Sequence, residues 1–126
     1  MIKAKKKYGQ NFLVDKGVID KIIKSINPKN LEKILEIGPG LGALTSQILN
    51  KIDHIDVVEI DPDMIKVLEE KIPSSKITIF PSNILEMNND IIGRYDKVIG
   101  NLPYYISSEI LLKMIKTINN QKELHF

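Results

Sequence analysis

Short apolar segments alternate with amphipathic ones along most of this chain, and that alternation restricts the fold more than any other sequence feature. The apolar segments lie at residues 33–37, 55–60, 76–80 and 97–100. They lack the polar alternation of a strand with one wet face, as expected for strands that are covered on both sides. The pattern therefore predicts an α/β fold, with a parallel sheet and helices on both of its faces.

The segments between these strands carry start and stop signals for helices. Asp15 is the predicted N-cap of the first helix, which ends at Asn27-Pro28. Asp61-Pro62 supplies an N-cap and a first-turn proline for a later helix, and Ser107 or Ser108 caps the last one. The predicted buried faces are Ile19, Ile22, Ile23 and Ile26; Leu41, Leu44 and Ile48; Ile65, Leu68 and Ile72; and Leu111, Met114, Ile115 and Ile118.

The length of 126 residues accommodates one domain, and 43% hydrophobic and 27% charged residues are typical of a globular one. Doubly wound sheets of this kind usually contain about five or more strands, whereas the pattern predicts four. The fourth strand is therefore expected to lie at an unprotected edge, where unwanted strand pairing occurs. We interpret residues 1–126 as one incomplete domain, truncated after the fourth strand and its helix.

Composition disfavours several functional classes. The chain has no cysteine, and neither His54 nor His125 belongs to a metal-ligand motif, so no metal site is predicted. No apolar run approaches the roughly 20 residues of a membrane helix, and no apolar segment of a signal peptide follows the basic start, so a cytoplasmic protein is predicted. The net charge of +2 is too small to indicate nucleic acid binding by itself. The lysines at positions 3, 5, 6 and 7 could contact phosphates or form a solvated terminus.

A glycine-rich loop follows the first predicted strand and opens a helix. Gly38-x-Gly40-x-x-Ala43 satisfies the dinucleotide fingerprint, and Glu59 lies 59 − 38 = 21 residues beyond Gly38, at the end of the second strand. A carboxylate there could accept hydrogen bonds from the ribose of an adenosine, which NAD and S-adenosylmethionine share. Glu36 would repel the pyrophosphate of NAD and attract the cationic methionine portion of S-adenosylmethionine. The pattern therefore favours S-adenosylmethionine, over NAD and over a glycine turn that only packs a helix on a strand.

A second motif, Asn101-Leu102-Pro103-Tyr104, directly follows the fourth predicted strand. We expect it to lie beside the glycine loop, because the carboxyl ends of parallel strands share one edge of a sheet. The Asn101 side-chain oxygen and the Leu102 carbonyl could accept both N–H bonds of an adenine amine, which is a poor nucleophile until it is aligned. Pro103 rigidifies the turn, and Tyr104 offers a ring for stacking the base. The motif favours methylation of a flipped-out adenine by proximity and alignment, with a plain turn before a helix as the alternative.

Four motifs, in order and at similar spacing, resemble those of the ribosomal RNA adenine N6,N6-dimethyltransferases, the family whose loss gives kasugamycin resistance in bacteria. The resemblance spans nearly the whole chain. It rests on Tyr8-Gly9-Gln10-Asn11-Phe12-Leu13, Glu36-Ile37-Gly38-Pro39-Gly40-Leu41-Gly42, Glu59-Ile60-Asp61 and Asn101-Leu102-Pro103-Tyr104. It implies a Rossmann-like class I methyltransferase fold that binds S-adenosylmethionine.

The resemblance also implies which residues form the site. Asn11 and the Leu13 backbone would contact the methionine portion of the donor, and Asn101 would line both donor and adenine. Glu59 would hold the ribose. Asn83 stands where the family usually has an aspartate that accepts from the donor's adenine amine. The expected cofactor-binding residues are Asn11, Leu13, Glu36, Gly38, Gly40, Glu59, Asn83 and Asn101, and the expected catalytic residues are Asn101, Leu102, Pro103 and Tyr104.

The substrate that the resemblance implies is small-subunit ribosomal RNA within a particle. Family members transfer two methyl groups to each of two adjacent adenosines near its 3′ end, late in subunit assembly. The resemblance further implies a monomer when full length, with a helical RNA-binding domain that this chain lacks. Two alternatives stay open: the large-subunit rRNA adenine methyltransferases of macrolide resistance, which share three of the four motifs, and a non-catalytic RNA-binding assembly or transcription factor of the same fold.

Overall fold

The computed structural model of this protein describes residues 16–100, 112–113 and 123–125. The helices are α1 (Lys16–Ile26), α2 (Ala43–Ile48), α3 (Pro62–Lys71) and α4 (Asn89–Ile92), with a 3-10 helix at Ile84–Glu86. Leu112 and Lys113 are also helical. The strands are β1 (Ile34–Ile37), β2 (Ile55–Val58), β3 (Ile77–Phe80), β4 (Lys97–Gly100) and β5 (Glu123–His125).

The five strands form one parallel sheet in the order β3-β2-β1-β4-β5. Strand β1 is central, and all four of its residues are buried. The order reverses between β1 and β4, which is the switch point at which ligands bind in open α/β sheets. The predicted parallel α/β architecture is thereby confirmed.

The expectation that the fourth strand lies at the sheet edge is wrong. Glu123, Leu124 and His125 pair in parallel with Lys97, Val98 and Ile99, so β5 covers β4. A three-residue strand with two polar members has no periodicity that reveals it in a sequence. Pairing with an existing strand decides its conformation.

Each face of the sheet has its own apolar core. On the first face, α1 and α2 pack with Leu68 of α3 and with Ile72. The second face is covered by the 3-10 helix, α4 and the Tyr95 ring. Helices therefore lie on both faces of the sheet, as predicted, and β1 and β4 are buried between the two layers.

Most predicted helix signals are confirmed within the described residues. Helix α1 ends at Ile26, just before the predicted stop, and Asp61 caps α3 by accepting a hydrogen bond from the Asp63 N–H at 2.9 Å. In α3 the fully buried residues are Met64 and Leu68, whereas Ile65 is only half-buried. Further expectations lie outside the described residues: the Asp15 cap, the Ser107 or Ser108 cap, and the face of Leu111, Met114, Ile115 and Ile118.

The amino edge of the sheet, where the strands begin, is held together by polar side chains. Lys97, at the start of β4 and 3% exposed, donates to the carbonyls of Ile26 at 2.7 Å and Asn27 at 3.0 Å. The same ammonium group lies 3.0 Å from Glu32 Oε1. Lys97 therefore ties the free carbonyls at the end of α1 to the sheet.

A second set of polar side chains at this edge joins β2 and β3 to Tyr95, which precedes β4. The Tyr95 hydroxyl donates to Asp56 Oδ2, and His54 Nε2 lies 3.0 Å from Asp56 Oδ1 and 2.9 Å from Thr78 Oγ1. Burial, together with the Asp56 carboxylate, raises the pKa of Tyr95 above its ordinary value, so the phenol stays protonated as the donor.

Candidate functional site

The candidate site lies at the carboxyl edge of the sheet, where β1 and β2 end and the glycine loop begins. Gly38, Gly40 and Gly42 have φ values of 64°, 59° and 83°, a left-handed region that costs other residues free energy. The Gly38 N–H donates to the Val58 carbonyl at 2.8 Å, which continues the β1–β2 ladder into the loop. The loop therefore turns sharply directly above the two central strands.

The glycines of this loop face different surroundings. Among the described residues, a Cβ placed on Gly38 would meet no atom within 4 Å, whereas one on Gly42 would lie 2.8 Å from Leu68 Cδ2. Gly42 therefore lets α2 and α3 pack closely, while no described residue packs against the Cα of Gly38. The open side of the loop leaves room for a ligand to approach the backbone.

Glu59 follows β2 and is bound on both carboxylate oxygens. Its Oε1 accepts from the Gly40 N–H at 3.1 Å, and its Oε2 accepts from the Asp61 N–H at 3.0 Å. Glu59 is 2% exposed, and burial raises its pKa although the backbone hydrogen bonds oppose that rise. These bonds fix the carboxyl group against the glycine loop, and the Ile60 N–H also stabilises its charged form. A carboxylate has about four acceptor sites, so it can still accept a hydrogen bond from a ligand hydroxyl group.

Glu36 lies within β1 and is also buried, at 2% exposed. Its Oε1 accepts a hydrogen bond from the hydroxyl of Thr45 in α2. Burial raises the pKa of Glu36 to about 7; the charge of Glu59 adds to this rise, and the Thr45 hydrogen bond opposes it. Two acidic residues thus occupy one edge of the sheet, both with pKa values above those of exposed carboxyl groups, as is typical of functional sites.

Asn83 follows β3 at the same edge. Its side-chain oxygen accepts from the Leu85 N–H at 3.0 Å and so caps the 3-10 helix. The predicted hydrogen bond to a donor adenine would have to share this oxygen, which has a second lone pair. Asn83 is half-buried, so the side chain is accessible on one side.

The structure brings four of the predicted site residues together at the glycine loop, leaves Asn83 after β3 at the same edge of the sheet, and adds one residue that the sequence did not suggest. The glycine loop contains Gly38 and Gly40, and Glu36 and Glu59 lie in or after the two strands beside it. The Gly40 N–H donates directly to Glu59. Thr45 was missed, because the predicted face of its helix was apolar. The signal that could have found it is a hydroxyl residue next to Leu44 in α2, the helix that directly follows β1 and its glutamate. Asn11, Leu13 and the motif Asn101-Leu102-Pro103-Tyr104 lie outside the described residues.

Within the described part of the chain, no helix is long and apolar enough to cross a membrane. The same residues contain no group of three or more His, Cys, Asp and Glu side chains that could hold a metal ion. The acidic residues of the site instead contact backbone N–H groups and a hydroxyl group.

Comparison with known proteins places this site in a family. The family model described as ribosomal RNA adenine dimethylase matches residues 1–126. The chain belongs to this family. A curated relative, the ribosomal RNA small subunit methyltransferase A of Methylobacillus flagellatus, is 42% identical over 123 residues, which are 98% of this chain and 48% of the relative. The chain spans about half the length of the curated relatives that it matches.

Solved structures share the fold of this rRNA adenine dimethylase chain. A dimethyladenosine transferase from Plasmodium falciparum is 25% identical with a TM-score of 0.75, covering 90% of this chain and 40% of that one. The 23S rRNA methyltransferase ErmE is 27% identical with a TM-score of 0.72, covering 85% of this chain and 43% of that one. An RNA methyltransferase from Salinibacter ruber, solved with S-adenosyl-L-homocysteine, shares the fold at a TM-score of 0.73 and 14% identity, covering 86% and 72%. The predicted Rossmann-like methyltransferase fold is confirmed.

Proposed function

We propose that this chain is the donor-binding part of an enzyme that uses S-adenosylmethionine to dimethylate N6 of two adjacent adenosines near the 3′ end of small-subunit rRNA. The pair of buried acidic residues around the glycine loop, in a chain of the rRNA adenine dimethylase family, carries the proposal. The reaction would take place in the cytoplasm during ribosome biogenesis, with the full-length protein acting as a monomer on rRNA within a subunit particle.

The donor side of the proposal rests on the chemistry of this edge. Glu59 is held by Gly40 and Asp61 so that its remaining lone pairs could accept from a ribose. Glu36 supplies a carboxyl group that ionises near pH 7 and would attract a cation. Glu36 would repel a pyrophosphate, so NAD fits this edge poorly, although Glu59 suits the adenosine ribose of either ligand. When bound, S-adenosylmethionine supplies an electrophilic methyl group on a sulfonium ion.

The acceptor side rests on residues outside the described part of the chain. Asn101 and Leu102 would accept the two N–H bonds of the adenine amine, Pro103 would rigidify the turn, and Tyr104 would stack the base. Their motif directly follows β4, which borders β1 at the switch point of the sheet. Asn11 and Leu13 would complete the methionine end of the donor site, and Asn83 its adenine end.

Calorimetric titration of the chain with S-adenosylmethionine and, separately, with NAD tests the donor assignment. We expect binding of the methyl donor alone, and a loss of about tenfold or more in affinity for Glu59→Gln, because an amide binds hydroxyl groups less strongly than a carboxylate does. Glu123→Gln, a substitution on the exposed side of β5, serves as the matched control and should leave the affinity unchanged. Binding of NAD without S-adenosylmethionine would contradict the proposal.

The choice of ribosomal subunit needs a separate experiment, because ErmE is a 23S rRNA methyltransferase with a similar fold. The full-length protein would be incubated with undermethylated small subunits, and separately with large-subunit rRNA, and the methylated adenines would be mapped. We expect two adjacent dimethyladenosines in the small subunit. Methylation of the large-subunit rRNA alone would favour the macrolide-resistance type of activity.

Variants of the full-length protein, tested in cells and in the methylation reaction, separate catalysis from a binding role. If Asn101→Ala leaves cellular function intact while substitution of Lys5, Lys6 and Lys7 abolishes it, the protein acts as an RNA-binding factor. Loss of methylation with Asn101→Ala, while RNA binding is retained, supports the enzyme.

A further inference from the structure

We propose that Thr45 is a positioning residue, whose hydroxyl group orients the Glu36 carboxyl group and keeps it available to the cationic portion of S-adenosylmethionine. The inference rests on the proposed function, because it assigns a further residue to that donor site. Thr45 lies in α2, beyond the glycine motif, and acts through Glu36 rather than by touching the reacting atoms.

The geometry supports this role because both partners are enclosed. Thr45 is 0% exposed and Glu36 is 2% exposed, and the Thr45 hydroxyl donates to Glu36 Oε1 across the contact between α2 and β1. A β-branched side chain in a helix has few χ1 rotamers, so the hydroxyl direction is restricted by the backbone of α2. The bond therefore engages one carboxylate oxygen of Glu36 and leaves Oε2 for other donors.

The chemistry of the bond favours the charged form of Glu36. Burial alone disfavours a carboxylate, and the neighbouring charge of Glu59 disfavours it further, whereas the Thr45 hydroxyl stabilises it. Without that hydroxyl, Glu36 would be protonated over a wider pH range. A neutral acid attracts a cation far less than a carboxylate does, so donor binding at neutral pH would weaken.

Few other groups on this face act on Glu36. Helix α2 contains no charged residue, and α1 turns isoleucines toward the sheet while its charged residues are exposed. Glu59 lies beyond the end of β2, and His125 lies on β5, separated from β1 by β4, with its ring 3.2 Å from Glu123. Among the described residues, Thr45 is the hydrogen-bond donor that offsets the desolvation of Glu36.

A matched pair of variants tests the inference in the 126-residue chain. Thr45→Val keeps the shape and removes the hydroxyl, and Thr45→Ser keeps the hydroxyl and removes the methyl group. The affinity for S-adenosylmethionine would be measured by calorimetry at pH 6, 7 and 9, as a ratio to the original chain. We expect Thr45→Val to lose about fivefold to tenfold in affinity at pH 6 and 7. At pH 9, where Glu36 is ionised in both chains, the loss in affinity should be less than about twofold. Thr45→Ser should stay within about twofold throughout.

A ligand-free measurement accompanies the titrations. The carboxyl carbon of Glu36, followed by NMR against pH, should titrate at higher pH in Thr45→Val than in Thr45→Ser. If valine lowers the thermal midpoint strongly, Thr45→Ala repeats the comparison without placing a methyl group against the Glu36 carboxyl group.

The outcomes distinguish the inference from the proposed function. A chain that binds S-adenosylmethionine, with equal affinities for both Thr45 variants at every pH, would overturn the positioning role alone. Weak binding of S-adenosylmethionine by Thr45→Ser, with normal binding by Thr45→Val, would instead show a packing role for the methyl group and would also overturn the inference. Absence of binding by the original chain would overturn the proposed function, and this inference with it.

Discussion

The two edges of the sheet both carry charged side chains, but they use them in opposite ways. At the amino edge, Lys97 and Asp56 bind groups that the fold itself supplies, and these contacts join strands and helices. At the carboxyl edge, Glu36 and Glu59 are buried, and burial raises the pKa of both. Charged groups therefore have several partners at the amino edge, whereas burial disfavours the charged form at the carboxyl edge.

This contrast separates structural polar groups from candidate functional ones. A buried ion with several good partners recovers much of its desolvation cost, whereas a buried carboxyl group with one hydroxyl partner does not. A fold retains such a carboxyl group at a cost in stability, which is common where a ligand later supplies the missing charge. Burial by itself did not distinguish the edges, since Lys97 and Glu36 are both almost fully enclosed.

Removing the charge at the amino edge should have the largest effect. Lys97→Met removes the donor to the Ile26 and Asn27 carbonyls and the cationic partner of Glu32, and should lower the free energy of unfolding by about 4 kcal/mol. Urea unfolding measures the loss. Glu123→Gln, which removes only an exposed partner 4.0 Å from Lys97, should change stability by less than about 0.5 kcal/mol. Similar losses for the two variants would contradict the structural role of Lys97.

At the carboxyl edge, removing a charge should instead raise the free energy of unfolding. Folding raises the pKa of Glu36 from 4.5 to about 7, so the folded chain binds more protons and loses stability as pH rises between these values. Glu36→Gln cannot ionise and should be more stable than the original chain by roughly 3 kcal/mol at pH 8, with little advantage at pH 4. Unfolding experiments at both pH values give the difference. A variant whose advantage does not change with pH would show that desolvation of Glu36 is unimportant.

Within the carboxyl edge, two glycine substitutions separate packing from ligand access. Gly42→Ala combines a positive φ with a contact of 2.8 Å to Leu68, and should cost about 2 kcal/mol or more. Gly38→Ala meets only the φ cost, about 1 kcal/mol, but places a methyl group in the open space before the loop. In thermal unfolding, Gly42→Ala should be the less stable of the two variants. In calorimetry, Gly38→Ala should bind S-adenosylmethionine more weakly than Gly42→Ala, although it is the more stable variant. The reverse ranking in both measurements would assign the ligand side of the loop to Gly42.

The smallest effect is expected from a single hydroxyl group at the amino edge. Tyr95→Phe removes the hydrogen bond to Asp56 but keeps the ring on which the Lys33 ammonium group lies, 5.5 Å from the ring centroid. The free energy of unfolding should fall by about 1 kcal/mol, with donor affinity unchanged. Urea unfolding and calorimetry test the two parts. A loss of donor affinity without a loss of stability would show that the two edges are coupled.

The carboxyl edge was more predictable from sequence than the amino edge. A glycine loop and an acidic residue after the next strand are local patterns, and the rule that parallel strands end at one edge brings them together. Asp56 and Tyr95 lie 39 residues apart, and Lys97 lies 71 residues from Ile26, so no local pattern links them. No helix was predicted between β3 and β4, yet this segment contains a 3-10 helix and α4, both short and capped by asparagine side chains.

The sequence by itself determined the parallel α/β class, the positions of four strands, the end of α1 and the Asp61 cap of α3, because periodicity, proline and capping residues act over a few neighbouring positions. Only the tertiary structure decided that β5 covers β4, that Met64 is more buried than Ile65, and that Thr45 faces Glu36. These outcomes depend on which surfaces meet when the sheet is assembled. The ionisation of Glu36 near pH 7 belongs to the same group, since desolvation arises only when α2 closes over β1.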